Sequence, residues 1–91
     1  MPTVMCIDDD GESLQIRKLL LETQGYSILT ADNGPEGLRL LSENRVDIIV
    51  LDYVMPDMDG LAVATAIRER HGRIPVVLLT GYPKELLQEL F

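Results

Sequence analysis

The chain has 91 residues, 46% of them hydrophobic, with one Phe, three Tyr and no Trp. That composition argues for one domain built on Leu, Ile and Val and against a disordered chain. The formal charge of −7, with only eight Lys and Arg, argues against nucleic-acid binding by this segment, because phosphate contacts need a basic surface. Cys6 is the single cysteine, so no internal disulfide is possible. The start MPTVMCIDDD lacks the basic and long apolar stretches of a signal peptide, and no apolar run approaches the ~20 residues of a membrane span. The expected location is the cytoplasm, with no membrane partner.

Thr3–Ile7 reads as a first strand. Gly11–Gln24 reads as a helix, with Asp10 as its N-cap and Gly25 as its stop. Leu14, Leu21 and the group Ile16, Leu19 and Leu20 are expected to form one broad apolar face on it. Tyr26–Ala31 is a second strand. Asn33-Gly34-Pro35 opens a second helix that ends near Asn44, with Pro35 suited to the first helical turn. Asp47–Leu51 is a third strand, apolar on consecutive positions as a central parallel strand should be. Pro56–Gly60 reads as a loop, Leu61–Arg70 as a third helix, Pro75–Leu79 as a fourth strand and Lys84–Phe91 as the start of a fourth helix.

Strand and helix alternate throughout. Such alternation gives a parallel sheet with right-handed crossovers, and sites in open α/β sheets lie at the carboxyl ends of the strands. Strand one ends in Asp8-Asp9-Asp10, strand three in Asp52, and strand four in Thr80-Gly81. Carboxylates gathered on one rim repel, and a divalent cation relieves the repulsion. Two or three carboxylates, one backbone carbonyl and waters suit Mg²⁺. The same ion attracts a phosphoryl group, which an Asp carboxylate can accept as an acyl phosphate. Thr80 can donate to a phosphoryl oxygen, and Gly81 lets the backbone approach it. Each residue alone has a plainer reading: Asp10 as a helix cap, Asp8 and Asp9 as solvent-facing acids, Thr80 as a strand residue. Their joint placement favours the site.

The stretches V-M-C-I-D-D-D, D-I-I-V-L-D-Y-V-M-P-D-M-D-G-L and I-P-V-V-L-L-T-G resemble the receiver domains of two-component response regulators, the CheY-like family. The resemblance runs over essentially the whole chain in the right order. It implies a flavodoxin-like, doubly wound parallel sheet of order 2-1-3-4, with 1–91 as a single receiver domain. It also implies a phosphoacceptor at Asp52, an acidic pair at Asp8 and Asp9, a phosphoryl-contacting hydroxyl at Thr80 and a small residue at Gly81. Mg²⁺ is then expected on Asp8, Asp9, Asp52 and the Val54 backbone carbonyl. Asp57 and Asp59 read as loop and cap residues. The implied partner is a histidine kinase or phosphotransfer protein. The implied activity is signalling, with self-catalysed phosphotransfer and autodephosphorylation only, rather than an enzyme's turnover.

One departure from the family stands out. The family's Lys at the end of a fifth strand has no counterpart, since Lys18 belongs to the first helix and Lys84 follows Thr80 too closely. The fifth strand and fifth helix are expected to be missing from this chain, which then reads as a trimmed piece of a longer protein. A remainder supplied by a partner copy, or a receiver that binds without signalling, are the alternatives. An uncovered fourth strand attracts other chains, so self-association through 75–79 and the helix 84–91 is expected. Two rival functions are weaker. A phosphatase with an aspartyl nucleophile, of the haloacid-dehalogenase type, would carry a second acid two residues after Asp52, where Val54 stands. A pure interaction module would bind no metal.

Overall fold

The computed structural model describes residues 1–52, 54–55 and 58–79. The elements run β1 (Thr3–Ile7), α1 (Gly11–Thr23), β2 (Ser27–Ala31), α2 (Gly34–Glu43), β3 (Ile48–Asp52), β4 (Val54–Met55), β5 (Met58–Asp59), α3 (Gly60–His71) and β6 (Val76–Leu79). The four longer strands form one parallel sheet in the order β2-β1-β3-β6. This is the expected 2-1-3-4 order, with β6 as the fourth long strand. The expected helix 84–91 lies outside the described residues.

The doubly apolar strands explain the layering. Successive side chains of a strand face opposite sides. Met5, Ile7, Ile49 and Leu51 face one side, where they pack with Leu41 of α2 and Val63 and Ile67 of α3. Val4 and Cys6 face the other side, where Leu14 of α1 meets them and Leu21, Ile28, Ile48 and Val50 pack around. Met5, Cys6, Ile7, Ile49, Leu51 and Ile67 are fully enclosed. Each large apolar side chain so enclosed contributes about 1.5–3 kcal/mol.

The helix ends follow their local sequences. Asp10 caps α1, its carboxylate accepting from the Glu12 N–H at 3.1 Å and from the Ser13 hydroxyl at 2.9 Å. Those bonds hold its pKa below the ordinary carboxylate value, the Ser13 bond foremost. Gly25 stops the helix at φ 91°, in the left-handed region where glycine is at ease, and its N–H bonds back to Glu22. Asn33 caps α2 by accepting from the Glu36 N–H at 2.8 Å, with Pro35 in the first turn.

Three expectations are corrected. Ile16, Leu19 and Leu20 do not share a face with Leu14 and Leu21. They are 59%, 63% and 62% exposed. At about 100° per residue, Leu14, Arg17 and Leu21 form the stripe on the sheet, and the other three fall on the opposite half of the helix. The segment 56–60 is not wholly loop: Val54 pairs with Asp59 and Met55 with Met58 in an antiparallel ladder, and Gly60 already begins α3. Three strand starts also shift inward by one residue, to Ser27, Ile48 and Val76. At Asp47 the backbone N–H still bonds to the Thr3 carbonyl at 2.9 Å, but it is the Asp47 carboxylate that accepts from the Thr3 N–H at 2.7 Å, while Pro75, which has no N–H, contributes only its carbonyl to Ile49 at 3.0 Å.

Candidate functional site

The pairing of Ile7 with Leu51 fixes the rim. Asp8 follows Ile7 and Asp52 follows Leu51, so the two acids leave adjacent strands side by side. Alternation puts both on the α1 side of the sheet, the side that Cys6 and Val50 face. The Asp8 backbone N–H still bonds to the Ala31 carbonyl at 3.1 Å, which anchors the residue to β2 as well. Asp52 lies opposite Leu79 in β6.

Asp8, Asp9 and Asp52 each offer a carboxylate oxygen within 4.8 Å of the others. Asp8 is buried and the other two are half-buried. Asp8 is held on both oxygens: Oδ1 accepts from the Asp10 N–H at 2.9 Å, and Oδ2 faces the Arg17 Nη2 at 3.4 Å. Asp10 turns away to cap α1, as expected, and takes no place in the cluster. Three hard oxygen donors at this spacing fit Mg²⁺, which takes few protein ligands and keeps its remaining positions hydrated.

The other expected site residues stand as follows. Val54 is one residue beyond Tyr53 from the acceptor, and its backbone is held in β4 opposite Asp59. Asp59 immediately precedes α3 and belongs to β5. Thr80, Gly81 and Asp57 lie outside the described residues.

Arg17 was not anticipated from sequence. Its guanidinium lies against both Asp8 and the Cys6 thiol. Burial pushes the thiol's pKa up, and the nearby Arg17 opposes that rise. The signal was available: Arg17 is three residues after Leu14 and four before Leu21, so a charge sits in the stripe that faces the sheet.

Among the described residues, no helix is long and apolar enough to cross a membrane.

Comparison with known proteins adds relatives to this geometry. A family model described as the response regulator receiver domain matches residues 4–90. The transcriptional regulatory protein AfsQ1 of Streptomyces coelicolor is 42% identical over 81 residues, covering 89% of this chain and 36% of that protein. The chain covers 18% of the transcriptional regulatory protein GlrR of Escherichia coli, so it spans about a third or less of the length of these curated relatives. The response regulator TrrA of Thermotoga maritima, solved in complex with Mg²⁺-BeF, superimposes with a TM-score of 0.86 at 33% identity, covering 99% of this chain and 77% of that one. The same regulator in complex with the histidine kinase ThkA gives a TM-score of 0.83 at 35% identity, covering 91% and 72%.

Proposed function

Since this chain belongs to the response regulator receiver family of two-component signalling, we propose that it takes a phosphoryl group onto Asp52 beside a Mg²⁺ ion held by Asp8, Asp9, Asp52 and the Val54 carbonyl. The observation that carries the reading is the convergence of three carboxylates from two adjacent strands within 4.8 Å. Bound Mg²⁺ would supply positive charge to the phosphoryl oxygens during transfer.

The chain's own residues do the rest. The sheet register holds Asp52 at the rim as nucleophile. One Asp52 oxygen forms a bond to phosphorus as the P–N bond of a phosphohistidine donor breaks; the electron pair leaves with the imidazole, which then takes up a proton. The Asp10 N–H keeps the Asp8 carboxylate oriented. In this reading the Thr80 hydroxyl donates to a phosphoryl oxygen, and the Gly81 backbone lies close to it. The donor class is a histidine kinase or phosphotransfer protein, by analogy with the ThkA complex of TrrA. In this reading 1–91 belongs to a single receiver domain whose fifth strand and helix lie elsewhere, in the cytoplasm, and makes no nucleic-acid contacts of its own.

Calorimetric titration of Mg²⁺ into wild type and Asp9→Asn tests the metal site, and equal affinities sink it. Mass spectrometry of the hydroxylamine-labile label tests the acceptor: where the family's fifth-strand Lys is supplied, the label is expected on Asp52 and absent in Asp52→Asn, and 1–91 alone is expected to take little or none, because one cationic contact to the phosphoryl group is missing. A label that survives that substitution refutes the assignment.

Self-association through β6 belongs to the same proposal. Val77 and Leu79 are 43% and 37% exposed, and among the described residues β6 pairs only with β3. An apolar strand open on one side favours pairing with another chain.

A further inference from the structure

Arg17 occupies a position where a helix packed on a sheet ordinarily carries an apolar residue. Leu14 and Leu21, the neighbours on its stripe, both pack on the α1 side of the core. The arginine side chain is 23% exposed, and the Asp8 side chain that it meets is 4% exposed. The contact is loose. Nη2 stands 3.4 Å from Asp8 Oδ2, against about 2.7–2.9 Å for a strong charge-assisted bond. Nη1 is buried and has no hydrogen-bond partner of good geometry, although the Cys6 thiol, a weak acceptor, lies against the guanidinium. A buried, unsatisfied N–H on a charged group is costly, and such a group calls for an explanation beyond packing.

We infer that Arg17 is the built-in counter-cation of the acidic rim, competing with the divalent ion for Asp8 and so setting the affinity of the metal site. The inference rests on the reading that Asp8, Asp9 and Asp52 hold Mg²⁺. Without metal, the guanidinium offsets part of the repulsion among three clustered carboxylates and keeps the buried Asp8 charge paired. When Mg²⁺ arrives, the same positive charge opposes it, and the loose contact lets Asp8 turn to the ion at small cost. Arg17 is thus a positioning residue, acting through Asp8 rather than on the phosphoryl group. Two effects of opposite sign follow from neutralising it: the metal-free protein loses stability and the affinity for Mg²⁺ rises. A purely structural arginine would lower stability equally with and without metal and leave affinity unchanged or weaker.

The test uses Mg²⁺ titration by calorimetry, with thermal melts in the absence and presence of saturating Mg²⁺. Arg17→Gln removes the charge and keeps a hydrogen-bond donor for Asp8, while Arg17→Lys keeps the charge. Arg17→Gln is expected to bind Mg²⁺ at least roughly fivefold more tightly than wild type, the effect of unit charges about 4 Å apart under full water screening. Its melting temperature should fall further without Mg²⁺ than with it. Arg17→Lys should stay within about twofold of wild type, since it carries the same charge to the same place. Mg²⁺ binding by Arg17→Gln no tighter than wild type, or equal tightening in Arg17→Lys, overturns the inference. Asp9→Asn separates the two readings: undiminished Mg²⁺ binding in that variant removes the metal site itself, whereas weakened binding with no effect of Arg17→Gln removes only the role of Arg17.

Discussion

Replacing Gly37 by alanine sets two known effects against each other. Gly37 is a buried residue of α2, and Ala in a helix interior is favoured over Gly by about 1 kcal/mol. A Cβ there, however, would stand 2.7 Å from Ile7 Cδ1, 3.2 Å from Ile7 Cγ1 and 3.7 Å from Ala31 Cβ. Carbon atoms prefer about 3.5–4.0 Å, so the first contact is short by roughly 0.8 Å. Ile7 is fully buried, and the end of its side chain has little room to swing aside. Overpacking of this kind costs about 1–3 kcal/mol, which meets or exceeds the propensity gain. Gly37→Ala is therefore expected to lower stability by up to about 2 kcal/mol. Ile7→Val removes Cδ1 and alone costs about 0.5–1.5 kcal/mol; in the Gly37→Ala background it should cost less or stabilise, with a coupling of at least about 0.5 kcal/mol. Urea unfolding of the four proteins, compared at constant m-value, measures the cycle. Gly37→Ala more stable than wild type, or strict additivity with Ile7→Val, would show that α2 yields freely and that the contact does not limit packing.

Acid should unpick the start of α1. The pKa of Asp10 is lowered in the fold, first by the Ser13 hydroxyl and then by the Glu12 N–H, from an ordinary value of 3.8. A lowered folded pKa gives stability that is complete above the unfolded value and is lost as pH falls through the folded one. Asp10→Ala should thus reduce stability at neutral pH and flatten the acid limb below about pH 4; an unchanged limb by circular dichroism would contradict the capping role. Light scattering across a concentration series reads the proposed association through β6, and Val77→Lys should shift it toward monomer. A wild-type monomer at high concentration refutes that proposal.

The fold was legible where one local rule governed. β1 was bounded correctly because five apolar or β-branched residues stand between Pro2 and Asp8. The stop at Gly25 and the cap at Asp10 follow from chemistry within one turn. The parallel sheet followed from the alternation of strands and helices and from runs apolar on both faces, while the 2-1-3-4 order was implied by the family resemblance. Long-range contacts were not legible. The Asp47 carboxylate, just before β3, accepts from the N–H of Thr3, a residue 44 positions away. The outward turn of Ile16, Leu19 and Leu20 was missed because five leucines and isoleucines crowd α1, and apolar count hides phase. Arg17 was passed over because a charge on a helix usually faces water. At the site, the acidic cluster was legible from strand ends alone, whereas Thr80 and Gly81 lie outside the described residues.

The side-by-side exit of Asp8 and Asp52 depends on a ladder in which Ile7 faces Leu51. A strand advances about 3.3 Å per residue and reverses its face at each step. Inserting or deleting one residue within β1 or β3 would move an acid by most of the cluster's width and turn it to the wrong side of the sheet. The turns at 24–26 and 44–47 join helices to strands at the far end, away from the rim. Length changes there should leave the carboxylates in place, so chain length is constrained at one end of this sheet and tolerant at the other.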